Sequence, residues 1–202
     1  MITQEEQKAN QMRIEEILIN KCGHRKGIDN LIKYMRETDF YIAPASARYH
    51  GAYPHALLEH SLDVYDWAVK LAPVFGINAS EDSIAICALC HDLCKVDFYK
   101  ASTRNKKVDG VWVSVPCYEY EEQFVFGGHG SKSALITARL LEGELTDEEA
   151  TAINCHMGFS DCGPNGVASI GNAFQSCPLA WLIHVADEAA TYITRRYEGE
   201  EN

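Results

Sequence analysis

Four histidines and two carboxylates fall where chemistry is possible: His60 in ALLEHSLDV, adjacent His91 and Asp92 in ALCHDLCK, His129 in GGHGSKSA, His156 in INCHMG and Asp187 in HVADEAA. Each lies on or at the end of a segment with helical periodicity, beside apolar residues that would face a core. One such histidine reads as a hydrogen-bonded core residue. Four of them with two carboxylates read differently, because each is costly to bury alone and a shared divalent cation satisfies all of them together. On a helix, His91 and Asp92 project about 100° apart and reach one ion from adjoining directions. The two oxygens of Asp92 allow it to bridge two ions. Lys95, on the Asp92 side, is placed to hold a phosphate as a point charge, although a lysine at a helix end is favourable in its own right.

The elements that must position these residues are mainly helical. Residues 3–21 read as a helix with Met12, Ile14, Ile17 and Leu18 facing inwards and Gly23 ending it, and a second helix covers 28–36. From 55 to 72, Leu58, Leu62, Tyr65, Val69 and Ala72 form a core stripe closed by Pro73 and Gly76. Ser80 with Glu81 and Asp82 caps a helix expected to run through His91 to Lys95. Residues 108–126 suggest a small β-hairpin. Helix returns at 130–142, Thr146 to Glu149 forms a capping box for a helix towards His156, 158–176 reads as a long loop, and Pro178 opens a last helix to about Tyr197. The fold class is mainly α with a minor β element.

The chain has 202 residues, 47% hydrophobic and 23% charged, with 18 Lys+Arg against 29 Asp+Glu for a net charge of −11. These proportions exclude collagen-like and disordered classes. No apolar run approaches the roughly 18 residues of a membrane span, and the N-terminal residues lack the shape of a signal peptide. A soluble, cytoplasmic protein without a membrane partner is expected. The acidic surplus opposes long phosphate backbones and favours a small substrate or a cation. The 8 cysteines are expected as thiols, with Cys87, Cys90 and Cys94 as small core residues and not cluster ligands.

The ordered set His60, His91-Asp92 with Lys95, His129, His156 and Asp187 resembles the HD superfamily of metal-dependent phosphohydrolases over roughly residues 44–192. The local wording PASARYHGAYPHALLEHSLDV, GGHGSKSA and INCHMG is most similar to small phage and bacterial HD proteins, and also to the HD domain of bacterial 3′–5′ exoribonucleases. The resemblance implies a single HD helical bundle over 1–202, its core at about 44–192 with helices of residues 3–36 packed on it. It implies that His60, His91, Asp92 and Asp187 bind one divalent metal, and that His129 and His156 bind a second with Asp92 as the bridge. Such oxygen and nitrogen donors suit Mn, Fe, Co, Ni, Mg or Zn. The implied activity is hydrolysis of a nucleotide phosphoester by a metal-activated water, with Asp92 and Lys95 in the catalytic machinery. A 3′–5′ exonuclease on single-stranded RNA or DNA is the alternative, and a non-catalytic HD binding module a third reading.

Residues around this set bear on the substrate. Arg48, Tyr49, His50 and Tyr53 precede the first ligand helix, where Arg48 and His50 would hold phosphate with Lys95. Glu59 is a candidate partner of His60. His184 lies one turn before Asp187 and rivals it as a ligand, the family pattern favouring Asp187. Asp161, in the expected loop, could touch metal or ribose. His24, Arg25 and Lys26 read as a surface turn. Arg104, Lys106 and Lys107, beside Tyr99 and Trp112, form a basic cluster that single-stranded nucleic acid could use, or a solvated loop.

Overall fold

The computed structural model describes residues 2–47, 51–120, 128–163 and 166–194. Among these, the order is α1 (Gln4–Cys22), α2 (Ile28–Glu37), α3 (Ala56–Val74), α4 (Glu81–Cys90), β1 (Tyr99–Val108), β2 (Val111–Tyr120), α5 (His129–Leu140), α6 (Asp147–Cys155), α7 (Val167–Ser176) and α8 (Pro178–Ala189). Short 3-10 turns at Leu93–Lys95 and Gly158–Asp161 follow α4 and α6, and a π turn at Ala190–Thr194 follows α8. The fold is mainly α with one two-stranded antiparallel ribbon. No helix among the described residues is long and apolar enough to cross a membrane.

Helix α4 forms the axis of the core. Every residue from Ile84 to Cys90 is buried, which is the pattern of a helix enclosed on all sides. Helices α1, α3, α6 and α8 pack around it, while α5 lies on α6 and on the turn that follows α4. Cys87, Cys90 and Cys94 are buried free thiols, as expected of small core residues. Burial pushes the Cys94 thiol up to about 12.

Side-chain caps mark three of the eight described helix starts. The Thr3 hydroxyl and the Glu6 carboxylate cap α1 reciprocally, Ser80 Oγ accepts the Ser83 N–H at α4, and Thr146 with Glu149 forms the expected capping box of α6. Two inward assignments fail. Met12 is 51% and Val69 47% exposed. Ile14 and Leu18, four apart, define the buried stripe of α1, and Met12 sits two residues and about 200° away from Ile14.

Three larger expectations are corrected. The expected 158–176 loop contains α7, which buries no residue fully but packs Ile170, Ala173 and Phe174 against the core. Its glycines hid a helix that tertiary packing holds. The ribbon begins at Tyr99, and Asp109 and Gly110, with φ of 50° and 83°, make its turn. Strand β1, YKASTRNKKV, lacks the apolar alternation that would have marked it, and residues 121–126 of the expected hairpin lie outside the described ones. Arg25 is not a surface residue: its side chain is 8% exposed and pairs with the fully buried Glu149.

Candidate metal centre

Four elements deliver the site. His60 comes from α3, His91 and Asp92 from the end of α4, His156 from the end of α6, and Asp187 from α8. Helix α4 stops at Cys90, one turn short of the expected end at Lys95. His91 still has helical geometry, whereas Asp92, at φ −111° and ψ 19°, has left the helix and leads into the 3-10 turn. The turn is tied by Lys95 N–H to Asp92 O at 2.9 Å and by Cys94 N–H to Ser133 Oγ of α5 at 3.1 Å. Asp92 therefore reaches the centre from a turn and not from a helical face.

His91 and His156 use the same device. Each caps its helix C-terminus, and each donates from Nδ1 to the carbonyl three residues back, Ala88 O at 2.8 Å and Ile153 O at 2.7 Å. A carbonyl can only accept, so Nδ1 carries a proton and each ring turns its Nε2 inwards. Helix ends supply such orphan carbonyls. The fold uses them to set the tautomer of a ligand histidine.

These nitrogens meet the carboxylates at short range. His91 Nε2 lies 3.2 Å from His60 Nε2 and 3.3 Å from Asp92 Oδ2. His60 Nε2 is 3.0 Å from Asp187 Oδ1, and His156 Nε2 is 3.6 Å from Asp92 Oδ1. Two donor groups result, His60 with His91 and Asp187, and His91 with Asp92 and His156, each with ligand atoms within 4.8 Å of one another. His60 can donate to Asp187, but Asp92 Oδ1 and His156 Nε2, both buried, have no hydrogen-bond partner among the described residues. Two acceptors facing each other in a buried pocket fit a cation between them.

Burial alone would raise the Asp92 carboxyl, but Lys95, with Nζ 2.6 Å from Oδ2, and His91 hold it well below the usual carboxylate range. The same balance, with a hydrogen bond from His60, puts Asp187 at about 2. Burial would lower the Lys95 ammonium, and Asp92 overcomes this and raises it. Both carboxylates are thus anionic and Lys95 cationic at neutral pH.

A cleft of about 520 Å³ opens over this centre, lined by His60, Asp92, Lys95, Asp187, Ala45, Ser46, Gly51, Ala56, Met157, Ser160, Glu188, Thr191 and Tyr192. Ser46, Glu188 and Tyr192 carried no signal in the sequence beyond adjacency to the motifs. Arg48 and His50 lie outside the described residues, as does Tyr49, while Gly51 and Ala45 on either side of them line the cleft. His129, at the start of α5, belongs to neither donor group. Its Nδ1 is 3.6 Å from Cys94 Sγ, and it borders a smaller adjoining cavity with Lys95. His184 is not among the donors either. It donates from Nδ1 to His156 O at 2.7 Å and stacks on Phe174 at 5.1 Å, so it supports the peptide of a candidate ligand. Glu59 is buried beside His60. The Asp161 side chain lies outside the described residues.

Glycines bring two of these elements together. A Cβ on Gly130 would lie 2.1 Å from Asn154 O, so the GHG segment is shaped by the close approach of α5 to α6. Gly158, with φ +56°, leaves room for the His184 ring, which a Cβ would meet at 2.5 Å.

This arrangement of helices around paired histidines and aspartates is that of a known class. The HD domain matches residues 57–191, which span every expected ligand, and the chain belongs to the HD-domain family. Among curated proteins, the dihydroneopterin 2′,3′-cyclic phosphate phosphodiesterase of Methanocaldococcus jannaschii is similar, 27% identical over 156 residues that cover 75% of this chain and 52% of that protein. The chain thus spans about half the length of that relative. No solved structure matches.

Proposed function

We propose that the chain is a divalent-metal-dependent phosphohydrolase that cleaves a phosphoester of a nucleotide. The observation that carries this reading is the pair of buried, unpartnered acceptors, Asp92 Oδ1 and His156 Nε2, beneath a cleft that also holds Lys95. In this reading His60, His91, Asp92 and Asp187 would hold one ion and Asp92 with His156 a second, His129 being assigned to the second ion by the family resemblance while it lies outside both donor groups. A bound divalent cation supplies Lewis acidity, which makes water nucleophilic at neutral pH and neutralises phosphate oxygens. The donors suit Mn, Fe, Co, Ni, Mg or Zn.

The chain's own residues do the rest. The Nδ1 bonds of His91 and His156 aim their Nε2 atoms inwards, where a bound cation would take them as ligands, and the low carboxyl values of Asp92 and Asp187 let them ligate without releasing a proton. Lys95, its ammonium held at the edge of the cleft, meets the charge that grows on the phosphate oxygens. Assaying nucleoside mono- and triphosphates and 2′,3′-cyclic nucleotides with Mn, Co, Ni, Fe and Mg tests the proposal. Phosphoester cleavage lost in Asp92→Ala supports it, and no cleavage of any of them rejects it.

One observation favours an exonuclease as the second reading. Lys107 and Trp112 are exposed register partners on one face of the ribbon, a charge beside an indole able to take up a single strand, while Arg104 is exposed on the opposite face. Stepwise shortening of a labelled oligonucleotide, abolished by Asp92→Ala, would select it.

A further inference from the structure

The ribbon begins just after the turn that carries Asp92 and Lys95, and its first rung pairs Tyr99 with Tyr120. The two rings lie 5.7 Å apart and tilted by 38°, and the buried Phe98 packs under both, at 5.1 and 5.2 Å. Tyr99 is half-buried, but Tyr120 remains 62% exposed. Both line a cavity of about 170 Å³ with Lys95 and His129. That cavity shares Ala45, Ser46, Lys95 and Met157 with the cleft above the metal centre, so the two lie side by side. A cavity of about 150 Å³ suffices for one benzene ring.

We infer that Tyr99 and Tyr120 form the subsite for the heterocyclic ring of the substrate, with its phosphate beside Lys95; this rests on the phosphoester reading above. Tyr120, exposed and packed against Tyr99 and Phe98, offers an aromatic ring on which a planar base can stack. Lys95 stands where the two cavities meet, and so anchors the charged end while the rung receives the ring. Stacking is tolerant of base identity. The subsite therefore selects for the presence of a ring and discriminates weakly among bases.

Tyr120 is the position to alter, because its exposure leaves the core intact. Titration calorimetry on the full chain in a Mn-containing buffer compares adenosine 5′-monophosphate with ribose 5-phosphate, which lacks the base. The unaltered chain is expected to bind the nucleotide at least about tenfold more tightly, equivalent to about 1.4 kcal/mol. Tyr120→Ala should remove that gap and Tyr120→Trp should keep it. Equal affinities in the unaltered chain, binding of neither compound, or a Tyr120→Ala that weakens both alike would overturn the inference, since a role in holding the ribbon together cannot distinguish the two ligands. Phosphate release is measured separately. A binding gap without hydrolysis rejects the phosphohydrolase reading and leaves the subsite standing, and hydrolysis without a gap does the reverse.

Discussion

Asp92 faces four side chains with two oxygens: Lys95, His91 and His60 towards Oδ2, and His156 towards Oδ1 at 3.6 Å. Asp92→Ala is therefore expected to lower activity more than alanine at His60, His91 or His156, by about 10³-fold or beyond, because it takes a ligand from both proposed ions. Elemental analysis of the purified chain gives the accompanying readout. Two metals per chain are expected, and one metal with Asp92 intact would refute the dinuclear proposal. Lys95→Met should reduce kcat by about 10²- to 10³-fold with the metal content unchanged, as for removal of one donor to a developing oxyanion. At this scale the sequence was legible in residue type and spacing. The tautomers were not, because they depend on the carbonyls of Ala88 and Ile153, which become acceptors only where α4 and α6 end. The same holds for His184, which shares a helical face with Asp187 yet turns its Nδ1 to His156 O.

At the scale of elements, the ends of helices carry the site, and their placement is testable. In Gly158→Ala, a side chain at positive φ would press on His184, and through its hydrogen bond on the His156 peptide. A loss of about 1–3 kcal/mol in thermal or urea unfolding is expected, with weaker metal retention. Glu149 joins three elements away from the centre. It is fully buried, accepts from Arg25, Ser83 Oγ and the Thr146 N–H, and caps α6. Burial works to raise its carboxyl, yet these hydrogen bonds, that from Arg25 foremost, hold it below the ordinary value. A depressed folded-state value stabilises the fold above the unfolded value near about 4.3, and the contribution fades as pH falls through the folded one. Glu149→Gln should thus cost about 3 kcal/mol at pH 7, where it leaves Arg25 buried without its counter-charge, and progressively less towards pH 3. Urea titrations across that range check the sign. The capping box was legible from Thr146 and Glu149 alone, but the Arg25 partnership, spanning 124 residues, was not.

For the whole molecule, metal and fold are linked. The buried donors come from α3, α4, α6 and α8, so an ion bound only by the native state stabilises the packing of all four. At about 100 times the dissociation constant this amounts to about 2.7 kcal/mol, or about 5–10 °C in Tm for a chain of this size. Chelation followed by calorimetry should show a fall of that order, restored by Mn or Co, and an unchanged Tm would argue against a bound metal. The net charge of −11 bears on the partner at the same scale. It opposes a long polyanion, while a metal centre would be locally attractive to a phosphate.

The sequence by itself determined the mainly α class, most helix starts and the ordered set His60, His91, Asp92, His156 and Asp187, because caps, apolar periodicity and residue chemistry act over a few positions. It could not disclose α7, whose glycine-rich segment is helical because Phe174 and its neighbours find a core to pack on, nor β1, whose polar strand is paired only through β2. The tertiary structure alone decided that α4 ends before Asp92, that His129 stands apart from the two donor groups, and that Tyr99 and Tyr120 border the smaller cavity beside the cleft. These are long-range outcomes, fixed by which helix ends converge in space, and no local spacing encodes that convergence.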